Sequence, residues 1–227
     1  MVDKKQIIEK IQEIRKDSPK RNFSQTFDLI INLKEYDIKK IVKVEENAVL
    51  PSGRGKKFSF AAFVDKDMVT ASEETCKLTI PSDKLDTYTK EPKKIKKMAR
   101  EYDCFIAEAT VMPKIAAAFG RYLAPLGKMP NPKKGQVFAP KSDLKALTEK
   151  LSKQITILIQ KQPVIKVPVG SEAQKDEEVA DNIMHIYETI MKILPRGRHQ
   201  IKSMLLKLTM SKPVRVEVSW TQIKNKK

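Results

Sequence analysis

Apolar residues recur along the chain at two periods. Ile7, Ile8, Ile11 and Ile14 fall on one helical face between Asp3 and Lys16, with Lys and Glu opposite, which predicts an amphipathic first helix. Ser18 and Pro19 end it. Over residues 23–33 the period drops to two. Phe27, Leu29, Ile31 and Leu33 alternate with polar residues such as Asp28 and Asn32, so the segment predicts a strand with one buried and one wet face. A Lys-rich connection follows, then a second strand around 48–50 that stops at Pro51. Much later, ITILI (155–159) and VIKVPV (164–169) flank a turn at Gln162-Pro163 and predict a hairpin. A helix over 177–194 turns Val179, Ile183, Ile186 and Ile190 inward, with Asp176 as its cap and Pro195-Arg196-Gly197 as its stop. Strands over 201–210 and 214–218 precede a lysine-rich tail expected to fray.

The middle of the chain has another texture. FSFAAFV (58–64) and CFIAEA (104–109) are nearly continuous apolar runs, as in strands covered on both faces. KLTI (77–80) reads as a third strand. Helices are predicted near 66–74, over 93–102 behind Pro92, over 113–119, and after Ser142, which can act as a cap. This alternation of strand and helix favours a parallel sheet with helices packed on it. The expected architecture is therefore two domains: a discontinuous α+β domain with an antiparallel sheet, built from residues 1–54 and 154–227, and an inserted Rossmann-like α/β domain over 55–153. Two short crossings between them permit a hinge.

Charge narrows the partners. The formal net charge is +17, from 45 Lys plus Arg against 28 Asp plus Glu. That excess calls for a polyanion, nucleic acid or an acidic membrane surface. No apolar run is long enough to cross a bilayer and no secretory signal is visible, so a cytoplasmic nucleic-acid binder is the expectation, with no membrane. Cys76 and Cys104 lie among strand residues without metal-ligand spacing and read as reduced, buried thiols.

No catalytic constellation is visible, so no enzyme activity, cofactor or metal is expected. His185 falls within the long helix and His199 in a basic turn. Gly53-Arg54-Gly55-Lys56 and Gly127-Lys128 look like pieces of a phosphate loop, but neither has the full spacing, and Met129 stands where Ser or Thr is needed. A nucleotide-binding α/β enzyme is the alternative reading, and its glycine fingerprint is missing. The cations do cluster: Lys20-Arg21, residues 54–57, residues 196–198, and Lys207. Beside them, Phe23 can offer a flat surface, Met210 can pack on a sugar, and Thr26, Ser203, Thr209 and Ser211 can bond 2′-hydroxyls or phosphates. On the residues alone, Phe23 and Met210 are equally readable as core.

The run GRYLAPLGKMPNPKKG (120–135) carries Arg121, Lys128, Lys133 and Lys134, has no acid, and holds three prolines, which predicts a stiff, extended cationic loop. With VLPSGRGK (49–56), RNFSQTFDLIINLKEYD (21–37), DNIMHIYETI (181–190) and LKLTM (206–210), it resembles the L-one family of large-subunit ribosomal proteins, closest to its archaeal branch. The resemblance covers nearly the whole chain. It implies the two-domain fold, a place on the mobile stalk near the exit site, binding to large-subunit rRNA, assistance to tRNA release, and repression of the protein's own mRNA. It also implies a monomer when off the ribosome. The RNA-binding set it implies, together with the cations, is Arg21, Asn22, Phe23, Thr26, Lys166, Ser203, Lys207, Thr209, Met210 and Ser211. Lys128, Lys133 and Lys134 would face the stalk and the exit-site tRNA. One departure stands out: the family usually has glycine after Thr-Met, where this chain has Ser211, so a strained or shifted turn is expected there.

Overall fold

A computed structural model describes residues 4–19, 21–34, 44–89, 91–140, 142–159 and 162–216. Lys20, the Lys-rich connection at 35–43 and the tail from 217 onward lie outside the described residues. In chain order the elements begin with α1 (Lys4–Asp17), β1 (Thr26–Leu33), β2 (Val44–Val49), β3 (Phe60–Val64), α2 (Val69–Thr75), β4 (Leu78–Pro81), α3 (Leu85–Thr89), α4 (Pro92–Glu101) and β5 (Cys104–Glu108). They continue with α5 (Met112–Leu123), β6 (Val137–Phe138), α6 (Leu144–Lys153), β7 (Gln154–Ile159), β8 (Val164–Ser171), α7 (Asp176–Ile193), β9 (Ile201–Leu208) and β10 (Val214–Val216). By its contacts the chain divides into two units, Met1–Lys56 with Lys153–Lys227, and Lys57–Ser152.

The first unit is built on a four-stranded antiparallel sheet in the order β10-β9-β1-β8. Strict alternation in β1 sends Phe27, Leu29, Ile31 and Leu33 to one face. Ile7, Ile11 and Ile14 of α1 and Val179, Ile183, Ile186 and Ile190 of α7 join them in one core. Pro168 sits in β8, an edge strand of this sheet, where a missing N–H is tolerated. The predicted hairpin of β7 with β8 does not form. β7 pairs antiparallel with β2, and β8 with β1. Both runs alternate, and alternation selects a buried face without selecting a hydrogen-bonding partner.

The second unit carries a parallel sheet in the order β4-β3-β5-β6. Every residue of β3 is buried, because packed residues cover both faces. Ala61 and Phe63 point into one core with Phe105, Ile95, Ile115 and Phe119; Phe60, Ala62 and Val64 point into another with Ile106, Phe138 and Leu144. Three local expectations need correction. The helix predicted over 113–119 runs on to Leu123, so the start of the proposed extended loop is helical, and Pro132–Lys134 forms a 3-10 turn. The cap of α6 is Asp143, whose Oδ1 accepts from the backbone N–H of Lys145, while the Ser142 hydroxyl donates back to Ala139 O. Asp176 does not cap α7; it is the first helical residue and pairs with Arg15.

Candidate nucleic-acid interface

Antiparallel pairing brings the end of β9 beside the start of β1. There the Thr209 hydroxyl accepts from Thr26 N (3.0 Å) and donates to Thr26 O (3.3 Å), which leaves one lone pair for a further partner. Gln25 is the buried hub beneath this rim. Its amide donates to Ser18 Oγ, its carbonyl oxygen accepts from Met210 N, and its backbone exchanges bonds with Glu172. Ser211 turns its hydroxyl inward, accepting from Leu208 N at 2.8 Å, and its own N–H bonds Leu208 O. The serine thus closes the turn at the end of β9 with a side-chain bond that a glycine lacks.

Phe23 is 51% exposed and Met210 61% exposed, so neither is core. Phe23 lines a shallow concavity with Arg21, Asn22, Ser24, Glu172 and Ala173. Met210 and Ser211 line another with Ile14, Asp17, Pro19, Lys212 and Val214. The segment 172–174 between β8 and α7 is held by Arg15, whose guanidinium donates to Glu172 O, Gln174 O and Asp176 Oδ1 and lies over the Phe27 ring. A hydroxyl contact of Ser24 with Ser171 at 2.9 Å adds to the seam.

The sheet face opposite the core carries Thr26, Asp28, Ile30 and Asn32 of β1, with Lys166 of β8, Ser203, Leu205 and Lys207 of β9, and Arg215 of β10. Among the described residues of these four strands, Asp28 is the one carboxylate. Burial pushes its pKa above the usual carboxylate value, and Lys207, its cross-strand partner, pulls the other way. Lys207 also donates to Thr209 O. Of the residues named from sequence, Arg21, Asn22, Phe23, Thr26, Lys207, Thr209, Met210 and Ser211 gather at the rim. Lys166, opposite Ile30, stands partway along the open face. Ser203 is opposite Asn32, about 20 Å along the strand from Thr26, and its hydroxyl accepts from Asn32 Nδ2. Arg196, Arg198 and His199 precede β9 and so lie at the far end of β1 from Arg21.

In the second unit Lys128 is half-buried, its ammonium donating to Ala99 O (2.9 Å) and Tyr102 O (2.7 Å) at the C-terminal end of α4. It satisfies carbonyls that a helix end leaves open. Lys133 is exposed and Lys134 half-exposed, on a loop closed by Asn131, Gln136 and the left-handed Gly135. At the C-terminal edge of the parallel sheet, where such folds take ligands, Glu108 accepts from Asp65 N and Thr110 Oγ1, and Asp65 accepts from Ser82 Oγ. Those polar groups are spent on one another. Among the described residues, no three His, Cys, Asp or Glu come together to hold a metal ion, and no helix is long and apolar enough to cross a membrane. Burial holds the Cys76 thiol up at about 11 and raises Cys104 as well, so both are poor nucleophiles.

Arg15 and Gln25 were not readable as interface supports from sequence. Each contacts segments more than 150 residues away, and each looks like an ordinary polar residue locally. A hint was available for Gln25, a polar residue one step before a strictly alternating strand.

A sequence profile of the Ribosomal protein L1p/L10e family matches residues 14–212. The chain is similar to proteins described as large ribosomal subunit protein uL1. It is 37% identical over 218 residues to that of Pyrococcus horikoshii, covering 95% of this chain and 97% of that protein. It is 37% identical over 217 residues to that of Methanothermococcus thermolithotrophicus, covering 95% and 100%, and 36% identical over 213 residues to that of Nanoarchaeum equitans, covering 92% and 98%. With nearly the whole chain matched in both comparisons, this protein belongs to the Ribosomal protein L1p/L10e family.

Proposed function

We propose that this protein is a structural component of the large ribosomal subunit in the cytoplasm, that residues 1–54 and 154–227 grip the rRNA of the mobile stalk, and that the inserted residues 55–153 assist release of exit-site tRNA. The observation that carries the reading is the pair of exposed apolar side chains, Phe23 and Met210, flanking the buried hub Gln25 below an open sheet face that carries one acid, Asp28, among the described residues. Exposed apolar groups fit riboses and base faces, hydroxyls such as that of Thr209 meet 2′-OH groups, and Lys166, Lys207 and Arg215 neutralise phosphates. The protein has no enzymatic role in this reading. A messenger copy of the stalk fold would occupy the same rim with fewer contacts, which accounts for repression of its own mRNA. Off the ribosome the chain is a monomer.

The decisive measurement is affinity for a stalk rRNA fragment against heparin at raised salt. Selectivity for the fragment should persist there. Met210→Asp should weaken fragment binding by tenfold or more with an unchanged melting temperature, because Met210 is exposed. Equal retention of heparin and fragment, or a parallel loss of stability in the variant, would sink the reading. For the messenger, failure of the stalk fragment to displace it in a gel-shift competition would rule out a shared site.

A further inference from the structure

Helix α4, PKKIKKMARE, buries Ile95, Met98 and Ala99. Lys93, Lys96, Lys97 and Arg100 are all exposed and spaced i, i+3, i+4, i+7, so they form one stripe on the side facing away from that core. Lys94 lies off the stripe and is paired with Glu91. The four cations line one shallow concavity with Glu101, the one acid there among the described residues. The arrangement works against the free helix. Neighbouring like charges repel, and the first turn itself holds Lys93 and Lys94 and no acid, Glu91 at the N-cap being the one carboxylate beside that end of the helix dipole among the described residues. A glutamate in place of Lys93 would have relieved both effects, meeting the dipole and pairing with Lys97 one turn on.

We propose that this face of α4 is a second RNA-contact surface, one that takes the phosphate backbone of an RNA duplex. It goes beyond the rim on the first unit and rests on the ribosomal reading only in taking RNA as the polyanion. From Lys93 to Arg100 the stripe is about 10 Å long at 1.5 Å per residue. A strand of nucleic-acid duplex carries one phosphate per roughly 3 Å of axis, so the stripe spans about three phosphates. The stripe has no aromatic or amide side chain to read a base, and the deep, narrow major groove of an RNA duplex keeps Lys and Arg from its base edges, so the contact positions RNA without selecting sequence. A lipid surface fits less well, because the apolar face of α4 is already in the core and has nothing to insert.

The test uses the full chain with Lys93→Gln, Lys96→Gln, Lys97→Gln and Arg100→Gln combined. Its probes are a labelled RNA duplex of about 20 base pairs unrelated to the stalk, the stalk fragment, polyglutamate, and phosphatidylserine vesicles. At roughly 0.1 M potassium chloride the duplex should bind at least tenfold more weakly to the variant. The slope of log affinity against log salt should fall by about 3 units, near 0.9 for each of the roughly three phosphates that are no longer neutralised. The stalk fragment should stay within about threefold. The Met210→Asp variant should show the opposite pattern, so failure of the rim and failure of the stripe are read separately. Arginine at the three lysine positions should preserve duplex binding. The melting temperature of the glutamine variant should hold or rise, since repulsion is removed. An unchanged duplex slope, a fall in melting temperature, or displacement of the duplex by polyglutamate or vesicles at equal charge overturns the proposal.

Discussion

Asp28 is the one carboxylate among the described residues of a face otherwise fit for phosphates, and its environment is unfavourable to its charge. Burial raises its pKa more than Lys207 lowers it. As pH rises, the unfolded chain releases this proton first, so between the ordinary carboxylate value and the raised folded value the folded state holds more protons. Stability is therefore present below the ordinary value and is lost as pH climbs through that window. Asp28→Asn should flatten this part of the pH profile in urea unfolding and leave stability at neutral pH equal or higher. It should also tighten binding to the stalk fragment a few-fold by removing a like charge. A destabilised variant at neutral pH would mean that the pairing with Lys207 outweighs burial. At this scale the sequence left Phe23 and Met210 open between core and contact, because a side chain at a strand's end has no period to place it. Only their exposure decides it.

Elements were legible where burial repeats. β1, β3, β5, α4 and α7 follow from apolar spacing alone. What spacing cannot carry is partner choice, hence β7 joining β2, and the polar bonds that lock one element to a distant one. Asn182 is the strongest of these. It is fully buried in α7; its amide donates to Gly53 O and Val169 O at 2.8 Å each, and its oxygen accepts from Ser52 N. Gln174 adds bonds to Ser52 O and Gly53 O. Gly53 and Gly55 both adopt φ of +66°, and a Cβ on Gly55 would come within 2.6 Å of the Gln174 side chain. The Pro51–Gly55 turn is thus fixed to the first unit by side chains more than 100 residues on. Asn182→Ala orphans buried backbone groups and should cost about 2–4 kcal/mol, read as a lower urea midpoint at unchanged slope. A loss below about 1 kcal/mol would mean that water takes over these bonds.

On the scale of the whole molecule, the two units own separate cores. No residue of the α1–α7 core belongs to either cluster around β3 and β5. Stability and RNA affinity should then be separable by where a cavity is cut. Phe119 is buried against Phe63 with ring centroids 5.0 Å apart, inside the second unit. Phe119→Ala removes a large side chain from a packed site and should cost about 3–5 kcal/mol. If the rim on the first unit carries rRNA binding, that loss should fall on amide-exchange protection of β3, β5 and α5 while α1, β1 and α7 keep theirs. Affinity for the stalk fragment should change by less than about twofold at a temperature where both units remain folded. Asn182→Ala should do the reverse, lowering protection in the first unit and loosening the fragment. Were Phe119→Ala to lower protection everywhere in one cooperative step, or to abolish fragment binding, the cores would be coupled. The grip on RNA would then have to be assigned to the chain as a whole and not to the rim around Gln25.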